Sequence, residues 1–192
     1  MIKIMAFAGS ARKDSFNKKL VAVAARGAEK AGASVTLVDL ADYDMPIFNQ
    51  DFEAEHGMPD AARRFKQLLI DHDGFLISSP EYNGAFSALL KNALDWASRA
   101  ETEDESPLQA FNGKFSAIMS ASPGGLGGLR GLVMLRMLLN NLGVTVIPQQ
   151  QAVGQAFKMF DEKGGMTDER KQSAVEGLGK ALSELVIKVK QS

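Results

Sequence analysis

Short apolar segments alternate with longer amphipathic segments along the whole chain. Apolar runs of strand length, several rich in β-branched residues, predict five strands at residues 2–8, 34–39, 74–78, 115–120 and 144–147. Apolar residues at three- and four-residue steps predict five helices, at about 16–31, 59–71, 85–99 and 129–142 and, last, from an N-cap at Thr167. Little periodicity remains in two segments, which are predicted to be a long loop and an irregular stretch: residues 41–57 and 149–166.

Strands that are apolar throughout, with helices between them, indicate a parallel sheet covered on both faces. Because crossover connections are right-handed, the predicted fold is α/β, a three-layer doubly wound sheet of five parallel strands in the order 2-1-3-4-5. No linker or internal repeat divides the chain, so residues 1–192 are predicted to form one domain. Ligands of such folds bind at the carboxyl ends of the strands, near the point where the strand order reverses. We therefore expect the loops after strands one, three and four to converge on one site.

The composition excludes several kinds of chemistry. The chain has no cysteine, which excludes disulfides, thiolate nucleophiles and cysteine-ligated metal centres. Its two histidines, His56 and His72, lack a second histidine at ligand spacing, so no metal site is predicted. His72 is interpreted as a solvated charge at a helix end, and residues 101–106 as a solvated acidic loop. A net charge of −1 without a basic face argues against nucleic acid as a partner.

The beginning of the chain is interpreted as a strand. Lys3 interrupts its apolar residues, and no small-residue cleavage site follows them, so a signal peptide is not expected. No apolar run reaches the ~18 residues that span a bilayer. These observations predict a cytoplasmic protein with no membrane partner.

The loop after the first strand is suited to an anion. It begins at Gly9, contains Ser10, Arg12 and Ser15, and leads through Phe16 and Asn17 into a helix. Helix N-termini have unpaired N–H groups and partial positive charge, and a guanidinium binds phosphate oxygens in pairs. The glycine spacing fits neither a nucleoside-triphosphate loop nor a dinucleotide fingerprint. The alternative is structural: Ser15 is only a helix cap and Arg12 only a surface cation.

The loop after the third strand is rigid and polar. It contains Pro80, Glu81, Tyr82 and Asn83, followed by Gly84. Proline fixes its φ angle, while asparagine and glycine accept turn geometry that other residues resist. The edge of a planar cofactor could rest on this loop, although an ordinary strand-to-helix turn explains the same residues. Glu81 is interpreted as an outward-facing surface carboxylate rather than an orienting group.

The loop after the fourth strand is rich in glycine and serine. Ser120 and Ser122 offer hydroxyl donors, and the backbone at Gly124 and Gly125 can approach a ring or a phosphate closely. The full dinucleotide spacing is absent here as well. Arg130, in the helix that follows, either meets a nicotinamide-nucleotide phosphate or is an exposed helix residue.

The helices at 85–99 and 129–142 are apolar on more than one side, which indicates either deep burial or contact with a second subunit.

Taken together, these motifs resemble the NAD(P)H-dependent FMN reductase family, a flavodoxin-like group that includes chromate and quinone reductases. The matching segments are Gly9-Ser-x-Arg12-x-x-Ser15-x-Asn17-x-x-Leu20, Pro46-Ile-Phe-Asn-Gln-Asp51, Pro80-Glu-Tyr-Asn83 with Leu90-Lys-Asn-Ala-Leu-Asp-Trp96, and Ser122-x-Gly-Gly125 with Gly127-Gly-x-Arg130. Phe16 stands where many members of the family have tyrosine, which removes a hydroxyl contact but not the ring.

The resemblance implies non-covalent FMN, with its phosphate at residues 10–17 and its ring edge against residues 80–83, near the loop 122–125. It also implies ping-pong chemistry, in which NAD(P)H reduces the flavin at N5 and a small oxidant then takes its place. The flavin performs the redox chemistry, so no catalytic side chain is predicted. Quinones, azo or nitro compounds, chromate and free flavin are the implied oxidants. A homodimer or a dimer-of-dimers tetramer is implied as well, and Arg12 with Arg130 favours NADPH over NADH.

Two other functions fit a doubly wound fold. A flavodoxin-type electron carrier would act by docking to a protein partner, but the near-neutral charge disfavours it. A flavin-free module such as a phospho-signalling receiver needs acidic residues at its strand ends. Here the first strand ends in Ala8-Gly9-Ser10 and the third in Ser78-Ser79-Pro80, which argues against a receiver.

Overall fold

The computed structural model describes residues 1–161 and 163–191. Its single sheet has five parallel strands in the order 2-1-3-4-5, which confirms the predicted topology. The strands are β1 (Lys3–Ala8), β2 (Ser34–Asp39), β3 (Gly74–Ser78), β4 (Phe115–Ala121) and β5 (Thr145–Val153). The β3 strand is buried at every residue, as the centre of a sheet covered on both faces requires.

Helices cover both faces of the sheet. They are α1 (Phe16–Lys30), α2 (Gln50–His56), α3 (Asp60–Asp71), α4 (Ala88–Ala97), α5 (Leu129–Asn141) and α6 (Glu169–Gln191). One core packs α1 and α6 against the sheet, and a second core packs α3, α4 and α5 against the other face. Three layers result, as the alternation of segments predicts.

The strand order reverses at β1, which lies between β2 and β3. Ala8, its last residue, pairs with Asp39 on one side and with Ser78 on the other. Ser78 in turn pairs with Met119 near the end of β4. The chain therefore leaves β1, β3 and β4 at one edge of the sheet, and the three polar loops begin side by side.

The two helices on the first face touch through their main chains. A Cβ atom at Gly27 of α1 would overlap the carbonyl oxygen of Glu176, and one at Gly179 of α6 would overlap the carbonyl oxygen of Ala24. Only glycine leaves room for this approach. We call this contact the glycine seam.

Two predictions about irregular segments are wrong. Residues 41–57 are not a continuous loop, because α2 lies within them; Asn49 caps this helix by accepting hydrogen bonds from the amides of Asp51 and Phe52. The fifth strand does not end at Pro148 but continues to Val153. It is an edge strand, and the ladder with β4 shifts between Ser116 and Ile118, so a residue without an N–H is tolerated there.

The N-cap of α6 is Asp168 rather than the predicted Thr167. The carboxylate of Asp168 accepts hydrogen bonds from the amides of Arg170 and Lys171. The Thr167 hydroxyl instead donates to the carbonyl oxygen of Lys158, the last residue of a 3-10 turn after β5. Both residue types cap helices well, so the sequence does not separate them.

Long-range contacts overturn two further interpretations. His72 is buried rather than solvated, and its ring nitrogens lie 2.6 Å from the Leu68 carbonyl oxygen and 2.8 Å from the Thr36 hydroxyl. The acidic loop 101–106 is not solvated throughout, because the Glu105 carboxylate lies 2.5 Å from the ammonium of Lys66, whose side chain is only 1% exposed. The partners are distant in sequence, and local pattern does not reveal them.

None of the helices within residues 1–161 and 163–191 has the length and apolar character needed to cross a membrane.

Candidate active site

The three loops at the carboxyl edge of the sheet enclose a cleft of about 330 Å³, a volume typical of small-molecule sites. Nine of the predicted binding residues line it: Ser10, Arg12, Ser15, Phe16, Asn17, Pro80, Glu81, Tyr82 and Ser122. Ala121 and Pro123 complete the lining and were not predicted. Four other predicted residues lie outside the lining: Asn83, Ser120, Gly124 and Gly125.

The start of α1 forms one end of the cleft. Ser15 is its N-cap, with an extended backbone and a side-chain oxygen that accepts from the Lys18 amide. Among the residues that the structure describes, the backbone N–H groups of Phe16 and Asn17 at the start of α1 have no acceptor. The first turn has no acidic residue. This end of the cleft therefore has free donors and a positive dipole end, which together suit an anion.

Two side chains extend this positive region. The guanidinium carbon of Arg12 lies 5.4 Å from the centroid of the Phe16 ring, a cation–π contact that restrains a long exposed side chain. Ser10, at the base of the same loop, is 8% exposed and lines the cleft. Arg12 and Ser10 thus line the cleft together with the first residues of α1.

Asn17 has a structural role as well as a place in the lining. Its side-chain oxygen accepts from the Ser78 hydroxyl (2.8 Å) and the Ala121 amide (2.9 Å), while its nitrogen donates to the Ala121 carbonyl oxygen (2.9 Å). One buried amide therefore joins α1 to the ends of β3 and β4. We call this set of bonds the Asn17 bridge.

The second loop makes a tight turn. Tyr82 and Ala85 exchange backbone hydrogen bonds of 2.8 and 3.1 Å across Asn83 and Gly84, which have φ angles of 53° and 85°. Asn-Gly is the dipeptide that favours two positive φ angles. The turn leaves the Tyr82 side chain at the mouth of the cleft and the Asn83 side chain outside it.

Glu81 is not the outward-facing carboxylate that the sequence suggests. Only 9% of its side chain is exposed, and one carboxylate oxygen lies 2.6 Å from the Arg130 guanidinium. The other accepts from the Gly131 amide at 3.2 Å. The carboxylate thus holds the second loop against the first turn of α5 and neutralises Arg130.

The third loop divides its glycines between two roles. Gly127 and Gly128 have positive φ angles, and a Cβ atom at Gly128 would overlap the buried hydroxyl of Ser120. The fold therefore needs these two glycines. Gly124 and Gly125 are exposed, and a Cβ atom at Gly125 would meet nothing within 4 Å. Their lack of side chains keeps open the space beside Ser122 at the edge of the cleft.

A second set of hydrogen bonds, absent from the sequence-based picture, fixes the first loop to α4. The Ser87 hydroxyl donates to the Gly9 carbonyl oxygen at 2.6 Å and caps α4 by accepting from the Leu90 amide. Ser79 accepts from the Ser87 amide at 3.3 Å. A Cβ atom at Gly9 would lie 2.8 Å from the Ser87 hydroxyl, so the close packing of these two residues requires glycine at position 9. Ser87 stands three residues before Leu90 at a helix start, which is the signal that could have identified it as a cap.

The segment after β5 also reaches the site. The amides of Gln155 and Ala156 donate to the carbonyl oxygens of Gly124 and Ser122, at 3.2 and 3.1 Å. Further along, the Phe160 ring stacks on the Phe16 ring with centroids 6.0 Å apart. Low periodicity in this segment hides both contacts from sequence-based reasoning.

The lining of the cleft offers hydroxyls, amides and a guanidinium, but neither an imidazole nor a thiol. Within residues 1–161 and 163–191, no group of three or more His, Asp or Glu side chains is placed to hold a metal ion. The arrangement is therefore one for binding an anionic group at a helix N-terminus and a flat group across two neighbouring loops. Doubly wound folds bind their ligands at this edge of the sheet, and helix N-termini there accept phosphate groups.

Comparison with known proteins identifies the family. The sequence model of the NADPH-dependent FMN reductases matches residues 2–158, and the chain belongs to that family. It is 34% identical to an NAD(P)H-dependent FMN reductase of Pseudomonas aeruginosa over 91% of this chain and 90% of that one. A 2-hydroxy-1,4-benzoquinone reductase of a Burkholderia species is 37% identical over 78% and 76% of the two chains.

The fold comparison agrees. The flavoenzyme NAD(P)H:(acceptor) oxidoreductase FerB of Paracoccus denitrificans superimposes with a TM-score of 0.81 at 28% identity, covering 98% of each chain. The resemblance inferred from the sequence is thereby confirmed, and so is the flavodoxin-like fold. The protein is an oxidoreductase of this family.

Proposed function

We propose that the protein binds FMN non-covalently in the cleft and uses it to pass electrons from NAD(P)H to quinones or other small oxidants. The observation that supports this most directly is the convergence of three polar loops, one of them a helix N-terminus with free amides, on a single cleft. The name of the related benzoquinone reductase favours quinones as oxidants. Azo and nitro compounds, chromate and free flavin are the other candidates.

The phosphate of FMN would be held by the first loop. Ser10 and Ser15 offer hydroxyls, Arg12 offers a guanidinium, and Phe16 and Asn17 offer amides at the start of α1. The absence of an acidic residue in the first turn removes the repulsion that a dianion would otherwise meet. These residues therefore fit the anionic end of the cofactor.

The flavin ring would rest against Pro80 and Tyr82, near Ser122. Because the space beside Gly125 is open in the protein itself, a glycine there serves no packing need within the fold. We assign Gly124 and Gly125 to close approach of the ring, with their backbone and Ser122 as hydrogen-bond partners. Glu81, Asn83 and Ser120 then act indirectly, by shaping the loops that the ring contacts.

When bound, FMN would supply the redox chemistry, the two-electron exchange between NAD(P)H and the oxidant. The chain binds and orients the cofactor, and backbone donors of the third loop would stabilise negative charge on its ring. The expected preference for NADPH over NADH loses both of its supports, because Glu81 neutralises Arg130 and Arg12 is assigned to the FMN phosphate.

The test is spectroscopic and kinetic. Purified protein is expected to be yellow, or to quench FMN fluorescence on titration, and to oxidise NADPH or NADH when a quinone is present. Initial rates should give parallel lines in double-reciprocal plots, the pattern of a ping-pong route. Rapid NADPH oxidation without any partner reductase separates this enzyme from a flavodoxin-type carrier. Colourless protein that leaves FMN fluorescence unchanged would contradict the proposal.

A matched pair of variants tests the placement of the ring. Gly125→Ala should unfold at the same temperature as the unaltered protein but bind FMN more weakly, because the added methyl group enters open space beside the cleft. Leu126→Ala, at an exposed neighbouring position, should leave FMN affinity unchanged. Equal FMN affinity for both variants would exclude Gly125 from the site.

We also propose that the protein acts in the cytoplasm as a homodimer, or as a tetramer made of two dimers, with the cleft at the subunit boundary. The support for this assembly is an exposed apolar stripe on α5, formed by Leu129, Val133 and Met137.

A further inference from the structure

The segment that follows β5 contacts the proposed phosphate site through one aromatic ring. The rings of Phe160 and Phe16 stack at 15° to each other with centroids 6.0 Å apart. The Phe16 ring also lies under the guanidinium of Arg12, at 5.4 Å. Three side chains thus form a continuous set of contacts, from the β5–α6 segment to the cation beside the cleft. The match to the family ends at residue 158, so Phe160 lies outside it.

Phe160 is itself well fixed. It forms a backbone bridge with Met166, whose side chain is buried in the core beside α1. The next residue, Asp161, donates its amide to the Gly165 carbonyl oxygen at 2.9 Å and accepts from the Gly165 amide at 2.8 Å. Thr167 donates its amide to the Met159 carbonyl oxygen at 3.1 Å. A ring held in this way restricts whatever stacks on it.

We propose that Phe160 is a positioning residue for the anionic end of the cofactor, acting through Phe16 to hold the Arg12 guanidinium beside the start of α1. This inference rests on the proposed binding of FMN. Arginine loses considerable rotamer freedom when it binds a phosphate, and a side chain already restrained by an aromatic face loses less on binding. Phe160 therefore affects recognition of the FMN phosphate and does not contact the flavin ring.

The phosphate allows a clean test, because riboflavin has the same ring and lacks that group. In Phe160→Leu, which keeps the bulk and removes the aromatic face, the dissociation constant of FMN should rise about three- to tenfold, the size expected when losing the Phe160–Phe16 stack leaves Phe16 and the Arg12 guanidinium less restrained. The dissociation constant of riboflavin should change less than about twofold, because riboflavin lacks the phosphate that Arg12 would bind. Both are measured by flavin fluorescence with flavin-free protein, and the melting temperature reports folding.

Two further variants sharpen the result. Phe157→Ala removes an exposed ring from the same segment, one that contacts Lys158, and should leave both dissociation constants unchanged. In an Arg12→Ala background, Phe160→Leu should have no further effect on FMN, because the group it positions is absent. These outcomes require coupling between Phe160 and Arg12, which a purely structural role of Phe160 would not produce.

The inference is overturned if Phe160→Leu weakens FMN and riboflavin equally, if it changes neither, or if its effect persists in the Arg12→Ala background. Each of these results leaves FMN binding by the unaltered protein intact, so the proposed function would stand. If the unaltered protein binds neither flavin, the proposed function fails first and this inference fails with it.

Discussion

At the scale of single residues, Asn17 shows how one side chain joins loops that are far apart in sequence. The Asn17 bridge connects α1 to β3 and β4 through a side chain that is only 4% exposed. Its sequence motif indicates an anion-binding residue, whereas its hydrogen bonds are made to the protein. Since the amide nitrogen has a second hydrogen, binding and bridging are compatible.

Asn17→Ala should lower the free energy of unfolding by about 2–3 kcal/mol, because buried polar groups of Ser78 and Ala121 lose their partners. FMN affinity should fall as well, since the loops no longer hold their spacing. Urea unfolding and flavin titration measure the two effects. Asn141→Ala, at an exposed position, is the control and should change stability by less than about 0.5 kcal/mol. Equal urea midpoints for the two variants would show that the bridge is dispensable.

At the scale of elements, the connection from α4 to β4 is anchored by a buried lysine on α3. Lys66 donates to the Arg99 carbonyl oxygen at 2.7 Å and pairs with Glu105. Burial raises the pKa of Glu105, but hydrogen bonds from the Glu101 amide and from Lys66 outweigh it and hold that pKa below its ordinary value of 4.5. The carboxylate is therefore more stable as an anion in the folded protein than in the unfolded chain.

This pair makes stability depend on pH. Because the folded-state pKa of Glu105 is lowered, its contribution is fully present above pH 4.5 and is lost as the pH falls through the lowered value. Glu105→Gln should destabilise the protein by about 2–4 kcal/mol at pH 7, because the buried ammonium of Lys66 would meet a neutral amide in place of a carboxylate. The variant should also lose less stability than the unaltered protein between pH 5 and pH 3.

Glu103→Gln, in the same loop at an exposed position, is the matched control for Glu105→Gln. Urea unfolding across this pH range should not distinguish it from the unaltered protein. If Glu105→Gln loses as much stability between pH 5 and pH 3 as the unaltered protein, the Lys66–Glu105 pair is not the source of this pH dependence.

At the scale of the whole molecule, one helix has an uncovered apolar face. Leu129, Val133 and Met137 lie four residues apart on α5 and are 43%, 63% and 51% exposed. The stripe begins beside Arg130, whose partner Glu81 lines the cleft. Continuity between an apolar stripe and the proposed cofactor site is what a dimer with its sites at the boundary requires, and exposed patches of this kind mark interfaces.

Val133→Glu should therefore convert the proposed dimer to a monomer, since an unpaired carboxylate would be buried in the contact. Light scattering coupled to gel filtration measures the mass. Val189→Glu, at an exposed position on α6, introduces the same charge elsewhere and should leave the mass unchanged. A monomeric unaltered protein, or a Val133→Glu variant of unchanged mass, would exclude α5 as the interface.

Much of this arrangement could be predicted because it is encoded locally. The sheet order follows from apolar runs and crossover handedness, the cap at Ser15 from its place before a helix, and the Asn83-Gly84 turn from two residues that accept positive φ. What escaped prediction depends on distant partners: Glu81 with Arg130, Glu105 with Lys66, and β5 continuing past Pro148 because β4 lies beside it. Periodicity reports which face is buried, but not which group meets another there.

The glycine seam has a consequence for evolution and engineering of the chain. Gly27 lies twelve residues from Ser15, so about 18 Å of helix connects the seam to the N-terminus of α1 at the cleft. A methyl group added at Gly27 would overlap the Glu176 carbonyl oxygen, and we expect the resulting shift of α1 to move the proposed phosphate site. The last helix, α6, contributes no residue to the lining of the cleft, yet its contact with α1 constrains where the N-terminus of α1 lies.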